Sequence, residues 1–301
     1  MIDAYQMATD RICELLEQGV KPWAKPWTSA MDCGWSGIDG HPYTFLNQML
    51  LANPERKYKS IEELTEDVRG EWVTYNEAKK RGGNIRKGEH GRRVIFFSMV
   101  DKKGQEDVPE DERVQIPIAS VSTVFKISQC ENVSQKYHLD DDRLYDFNTD
   151  QNADEIASGY IFREGIVFRT LKGDKASYNP VTDTVTLPLP EQFRNWQEYY
   201  STLFHELTHS TGHEKRLNRF SKGSVAAFGS DNYSAEELVA EIGSASICST
   251  LGIDTSGSIT NSASYIQNWL EALKNDKRMI VTASSKAEKA VRMIFNIKEE
   301  K

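Results

Sequence analysis

Cysteine, histidine and long apolar runs are all scarce in this chain of 301 residues. The four cysteines, Cys13, Cys33, Cys130 and Cys248, lie far apart and form no CxxC pair. That excludes a disulfide framework and a cysteine zinc site, and it predicts a reducing cytoplasm. No stretch approaches the roughly 18 consecutive apolar residues that a membrane span requires, so no membrane is expected among the partners. The opening Met-Ile-Asp-Ala-Tyr-Gln has no basic region leading into an apolar run, and no signal peptide is read there. Positive charge is also short: the net charge is −8. A wholly basic nucleic-acid binder is excluded, though a local basic patch is not. Aromatics are not scarce. Twelve Phe, twelve Tyr and six Trp demand a buried core, in a chain long enough for one large domain or two ordinary ones.

The charges are unevenly spread. Lys79 to Arg93 holds seven basic residues against one acid, Glu89. Acidic clusters follow at Glu106-Asp107, Glu110-Asp111-Glu112 and Asp140-Asp141-Asp142. The last lies in an apolar-poor segment, which marks the expected domain boundary: a first domain over 1–130, a linker over 131–151 and a second domain over 152–301.

Tyr5, Ala8, Ile12, Leu15 and Leu16 recur at helical spacing, and Gly19 stops the helix. A short helix is expected near Phe45–Leu51. Trp-Val-Thr-Tyr from Trp72 leads into a helix ending at Gly82-Gly83. Val94–Phe97 reads as a buried strand and Val121–Ile127 as a second strand. The second half opens with a helix near Asp154–Ser158. Strands near Gly165–Phe168 and Asp183–Pro188 follow, then a strongly helical pattern from Trp196. The fold class is α+β in two domains.

His205-Glu206-Leu207-Thr208-His209 is an HExxH motif within that helix. At 100° per residue the two imidazoles point within about 40° of one another, one turn apart. So placed they can share one Zn²⁺, and Glu206 on the flank can take a proton from water there. A catalytic zinc usually has a third protein ligand. His213 lies too far along the helix, and position 215, where the metzincin spacing requires histidine, is Lys215. Glu237 and Glu241 share a face one turn apart in a second helix that starts near Ser234. The gluzincin arrangement uses such a pair, with Glu237 on the metal and Glu241 holding a ligand histidine. Ser234-x-x-Glu237 is also a capping box; in that case Glu241 becomes the ligand. Tyr233, just before this helix, offers a phenol for an oxyanion, or simply packs. Arg216 and Arg219 either line the cleft or decorate a solvated helix end.

The basic run includes Gly82-Gly83-Asn84-Ile85-Arg86-Lys87-Gly88-Glu89. Cations interleaved with aromatics suit single-stranded nucleic acid, whose bases stack while its phosphates are neutralised. The candidate phosphate contacts are Lys79, Lys80, Arg86, Lys87, Arg92 and Arg93. The candidate stacking platforms are Trp23, Trp27, Trp72 and Tyr75. A solvated glycine-rich hairpin explains the same composition.

These residues together resemble a known family. Leu16-Glu17-Gln18-Gly19-Val20-Lys21-Pro22-Trp23-Ala24-Lys25-Pro26-Trp27, Trp72-Val73-Thr74-Tyr75 and Val124-Phe125…Gln129-Cys130 are similar to the first half of ArdC-type antirestriction proteins. Ala176-x-Tyr178-Asn179-Pro180, the HExxH run through Arg216-Leu217-Asn218-Arg219, and Glu236-Glu237-Leu238-Val239-Ala240-Glu241 resemble the second half. The departures are Ser210, in place of an aromatic, and the acidic insertion near Glu106–Glu112. The resemblance implies a single-stranded-DNA-binding domain, also found in plasmid conjugation primases, followed by a zincin metallopeptidase-like domain. It implies an antirestriction protein of a mobile genetic element, acting on an unknown protein substrate. Two other readings stay open: a DNA-binding protein with a structural or vestigial metal site, and a regulatory protease that cleaves a host repressor.

Overall fold

The computed structural model describes residues 3–23, 33–53, 55–102, 114–137, 153–220, 231–253, 255 and 263–297. Helix α1, Ala4–Glu17, is capped by Asp3, whose carboxylate accepts from the N–H groups of Tyr5 and Gln6. Its stripe of Ala8, Ile12, Leu15 and Leu16 is buried, and Gly19 at φ +78° ends it.

Strand β1 (Gly34–Ser36) runs parallel to β2 (Gly70–Thr74), joined through α2 (Phe45–Leu50) and α3 (Ile61–Val68). Helix α4, Tyr75–Lys80, follows β2 directly, capped by Thr74. The short β3, Asn84–Ile85, pairs with β6, Cys130–Glu131. Between them β4 (Arg92–Asp101) and β5 (Gln115–Lys126) form a long antiparallel ribbon, giving the sheet order β1-β2-β5-β4. The ribbon corrects one expectation. Val94 and Ile95 are buried, but Phe96 and Phe97 are exposed, because the ribbon extends beyond the core that covers its base.

The second half begins with α5, Ala153–Glu164. Strands β7 (Val167–Leu171), β8 (Ser177–Asn179) and β9 (Thr184–Pro188) order as β7-β9-β8, with β7 parallel and β8 antiparallel to β9. Helices α6 (Trp196–Ser210), α7 (Asp231–Thr250), α8 (Ala263–Asn275) and α9 (Met279–Ile294) follow.

The two halves share one continuous apolar core. Helices α8 and α9 return to pack on α1, and α9 also meets α2. The Thr9 hydroxyl donates to the Lys277 carbonyl at 2.9 Å, and Lys277 pairs with Asp3 at 2.6 Å. Trp23 is only 2% exposed and meets Trp269 edge to face, with ring centroids 6.1 Å apart. It is therefore a core residue joining the halves, and its expected role as a stacking platform is corrected. Trp27 lies outside the described residues. Part of the polar stretch after residue 130 also belongs to the first half. The Glu71 carboxylate accepts from the N–H groups of Lys136 and Tyr137, and the Tyr137 ring is buried.

Candidate metal centre

Asn195 caps α6, and Leu203, Phe204 and Leu207 bury its inner side. His205 and His209 occupy the remaining face. Helix α7 crosses close to α6 at Gly243, where a Cβ would stand 2.6 Å from the Thr208 methyl. This close approach puts Glu237 opposite the histidines. Its Oε2 is 3.4 Å from His205 Nε2, and its Oε1 is 3.3 Å from His209 Nε2. The two Nε2 atoms are 3.1 Å apart.

A tetrahedral ion with ligands at about 2.05 Å spaces its donors about 3.3 Å apart. An octahedral ion with ligands at about 2.1 Å spaces neighbouring donors about 3.0 Å apart. Two imidazole nitrogens and a carboxylate oxygen at these separations fit a divalent cation by spacing and by donor chemistry.

The charges around the triangle are already arranged for a cation. Burial works to raise the Glu237 carboxyl, but hydrogen bonds from both histidines outweigh it and hold the group far below the usual carboxylate range. Burial likewise works to lower His209. Its bonds to Glu236 and Glu237 win and lift it to about 10. Glu206 is buried beside them, and that burial pushes its carboxyl up. The backbone N–H of Tyr178 in β8 faces the Glu206 carboxylate.

Helix α7 starts at Asp231, three residues before Ser234. Ser234 is therefore inside the helix, and the capping-box alternative for Glu237 fails: both Glu237 oxygens face imidazoles. Tyr233 lies in the first turn rather than before it, and its side chain is outside the described residues. Glu241 is a correction. It makes no ion pair with either histidine; its charge acts instead on buried Lys21 from the first half. The acid at the second nitrogen of His209 is Glu236, with Oε1 3.5 Å from Nδ1. Glu236 was missed because position along a helix names a shared face but not which neighbour that face meets.

The side chains of the two arginines after the motif are buried. Arg216 donates to the Ser210 carbonyl at 2.7 Å, to the Tyr178 hydroxyl at 3.1 Å and to Asp183. It ties β8 to the end of α6. Arg219 grips Glu236. The Ser210 side chain, the departure from the family pattern, meets the Tyr160 hydroxyl at 3.1 Å.

In the first half, the expected nucleic-acid residues separate. Tyr75 is 52% exposed, with Lys79 Nζ 5.7 Å from its ring centroid. Lys80, Lys87 and Arg93 are exposed, and Arg86 is exposed but paired with Glu89 at 3.0 Å. Arg92 and Trp72 are corrections. Side chains alternate along a strand, so Arg93 points out and Arg92 in. Arg92 donates to the Leu51 carbonyl at 2.6 Å and to Asp67 at 2.9 Å. Trp72, 1% exposed, donates to the Val68 carbonyl at 2.7 Å. Neither reaches a ligand outside.

Fold and site together define a two-part protein with a zincin-like metallopeptidase domain. Residues 155–286 match the zincin-like metallopeptidase family model, and residues 2–125 match that of the N-terminal domain of the anti-restriction factor ArdC. The crystal structure of the antirestriction protein ArdC from plasmid R388 is 33% identical, with a TM-score of 0.70, covering 99% of this chain and 100% of that one. Its Mn(II)-bound structure aligns with a TM-score of 0.69 over 97% of each chain. The chain belongs to the ArdC family of antirestriction proteins. It is also 30% identical to protein y4eC of Sinorhizobium fredii, over 95% of this chain and 89% of that protein. A DNA primase TraC of Escherichia coli is 30% identical over 95% of this chain. The chain spans 19% of that primase's length.

Proposed function

We propose that the chain binds one divalent ion, zinc by preference, through His205, His209 and Glu237, and hydrolyses a peptide bond there. We further propose that its first half binds single-stranded DNA and that the whole protects incoming DNA of a mobile element from restriction. The observation that carries the metal site is the triangle of donors 3.1 to 3.4 Å apart with Glu206 buried beside it. The manganese bound by the R388 protein supports it.

When bound, the ion would polarise a carbonyl and acidify water at the site. The protein's own residues supply the rest. Glu206 takes a proton from water and later hands it to the leaving nitrogen. The Tyr178 N–H fixes where the carboxylate sits. Strand β8 stands at the edge of its sheet, next to α6. An extended polypeptide can lie along such an edge by main-chain hydrogen bonds.

DNA binding rests on the exposed group Tyr75, Lys79, Lys80, Lys87 and Arg93, and on the family model's ArdC N-terminal domain. A second reading makes the metal structural, since the three donors tie α6 to α7. The full chain, incubated with host extract and single-stranded DNA, separates them. The first reading expects chelator-sensitive cleavage that Glu206→Ala abolishes; the second expects none.

A further inference from the structure

We propose that Glu236, gripped by Arg219, is the positioning residue for His209: its carboxylate accepts from Nδ1–H, keeping the proton on Nδ1 so that Nε2 is left bare toward the ion. The inference rests on the metal-site reading above.

Neighbouring residues on a helix point about 100° apart. Glu236 and Glu237 use that angle to straddle one ring. Glu237 meets Nε2 at 3.3 Å, and Glu236 faces Nδ1 at 3.5 Å. An imidazole has one tautomer that offers Nε2 to a metal while donating from Nδ1, and an acceptor at Nδ1 selects it. The third carboxylate near the ring, Glu206, is reserved for the proton work.

Glu236 is itself held. Arg219 Nε donates to Oε2 at 3.0 Å and Nη2 to Oε1 at 2.7 Å, a two-pronged grip. The same guanidinium donates to the Thr208 carbonyl at 2.9 Å and the Thr211 hydroxyl at 2.7 Å, both at the end of the histidine helix. The Arg219 side chain is 4% exposed, and its backbone N–H donates to the Gly212 carbonyl at 2.8 Å. One buried arginine thus fixes the acid of α7 relative to the helix that carries His209. Every contact in this chain of partners runs toward His209 and none toward His205, so the two ligands are held by different means.

The test compares the full chain with Glu236→Ala, Glu236→Gln, Arg219→Lys and Glu241→Gln, measuring Zn²⁺ affinity by competition with a chromophoric chelator. Loss of a carboxylate that orients a ligand costs roughly 10- to 100-fold in affinity. Glu236→Ala should show that loss. Glu236→Gln, which keeps an acceptor oxygen, should recover part of it, and Glu241→Gln should match the parent. Long-range ¹⁵N–¹H spectra of the zinc-loaded chain should show the His209 Nδ1 proton in the parent and its signal shifted in Glu236→Ala. Should Glu236→Ala fold poorly, Glu236→Gln and Arg219→Lys carry the same comparison. Affinity within twofold of the parent in the Glu236 variants, or an equal loss in Glu241→Gln, overturns the proposal while leaving the metal site standing. A parent that binds no divalent ion overturns both.

Discussion

The guanidinium of Arg92 lies over the indole of Trp72, 5.3 Å from the ring centroid. Asp67 closes the group with a 2.9 Å bond to Arg92 and a 2.6 Å bond from the Tyr58 hydroxyl. Arg92→Ala removes the nearest cation from half-buried Asp67, which keeps the Tyr58 hydroxyl and a 3.7 Å pairing with Arg56, and Trp72→Ala opens a large cavity. Trp72→Ala should cost about 3 to 5 kcal/mol of stability in a urea titration, and Arg92→Ala about 1 to 3 kcal/mol. Single-strand affinity per folded molecule should stay at the parent value. Lys79→Ala, Lys80→Ala and Arg93→Ala should do the reverse, with stability within about 0.5 kcal/mol of the parent and weaker DNA binding. A weaker affinity in folded Arg92→Ala would return that residue to the surface group.

Salt separates phosphate contacts from stacking. If Lys79, Lys80, Lys87 and Arg93 each neutralise one phosphate, log affinity against log salt should slope near −2.8, and each alanine should lift the slope by about 0.7. Tyr75→Ala should weaken binding by about 1 to 3 kcal/mol without changing the slope. An affinity indifferent to salt would remove the phosphate contacts from the account.

Metal loading should appear as stability. Zinc at about 100 times its dissociation constant adds about 2.7 kcal/mol, several degrees in melting temperature. A chelator should remove that increment. His205→Ala and Glu237→Ala should melt at the same temperature with and without zinc, and retain no zinc after dialysis. Full zinc occupancy in His205→Ala would place the ion elsewhere.

Glu206 is not one of the three donors, so its loss should leave the ion in place. Glu206→Ala should bind zinc and single-stranded DNA like the parent while cleavage falls by about 10² to 10⁴. The decisive measurement is restriction of incoming DNA in cells. A Glu206→Ala chain that protects as well as the parent shows that proteolysis is dispensable to protection.

Acid should destabilise the fold through two half-buried, paired carboxylates. In Asp67, burial works to raise the carboxyl and is outweighed by bonds from Arg92 and Tyr58. In Asp183, burial is outweighed by bonds from Arg216 and Tyr178. A carboxyl whose folded pKa is lowered stabilises the fold above its unfolded value of 3.8, and that stability drains away as the pH falls through the folded value. Apparent stability measured from pH 7 downward should therefore fall most steeply below about 4. Asp67→Asn should be less stable at pH 7 and flatter at the acid end. An unchanged acid limb would mean that Asp67 is not paired in solution.

The sequence discloses what is local. His205 and His209 are legible because one helical period sets their shared direction, and β9 is legible from its alternation up to Pro188. Facing partners are harder to read. Glu237 and Glu241 share one helix face, but only the crossing of α6 and α7 at Gly243 sends Glu237 to the histidines and Glu241 toward Lys21. Arg219 looks like a solvated helix end until its loop turns back over α6. Trp72 and Arg92 carry the right chemistry for DNA and sit in the core, since alternation along a strand assigns sides without saying which side is wet; Trp23, in the turn after α1, is buried by Trp269, a partner far off in the sequence.

The closure of α8 and α9 on α1 has a consequence for synthesis. Thr9 and its partner Lys277 are 268 residues apart. At ribosomal speeds of 5–20 residues per second, the first helix waits roughly 13 to 54 s for its cover. Through that interval Ile12, Leu15 and Leu16 lack the helices that finally enclose them. A chain cut before α8 lacks the helices that cover α1, so the first half depends on the last helices for its finished core.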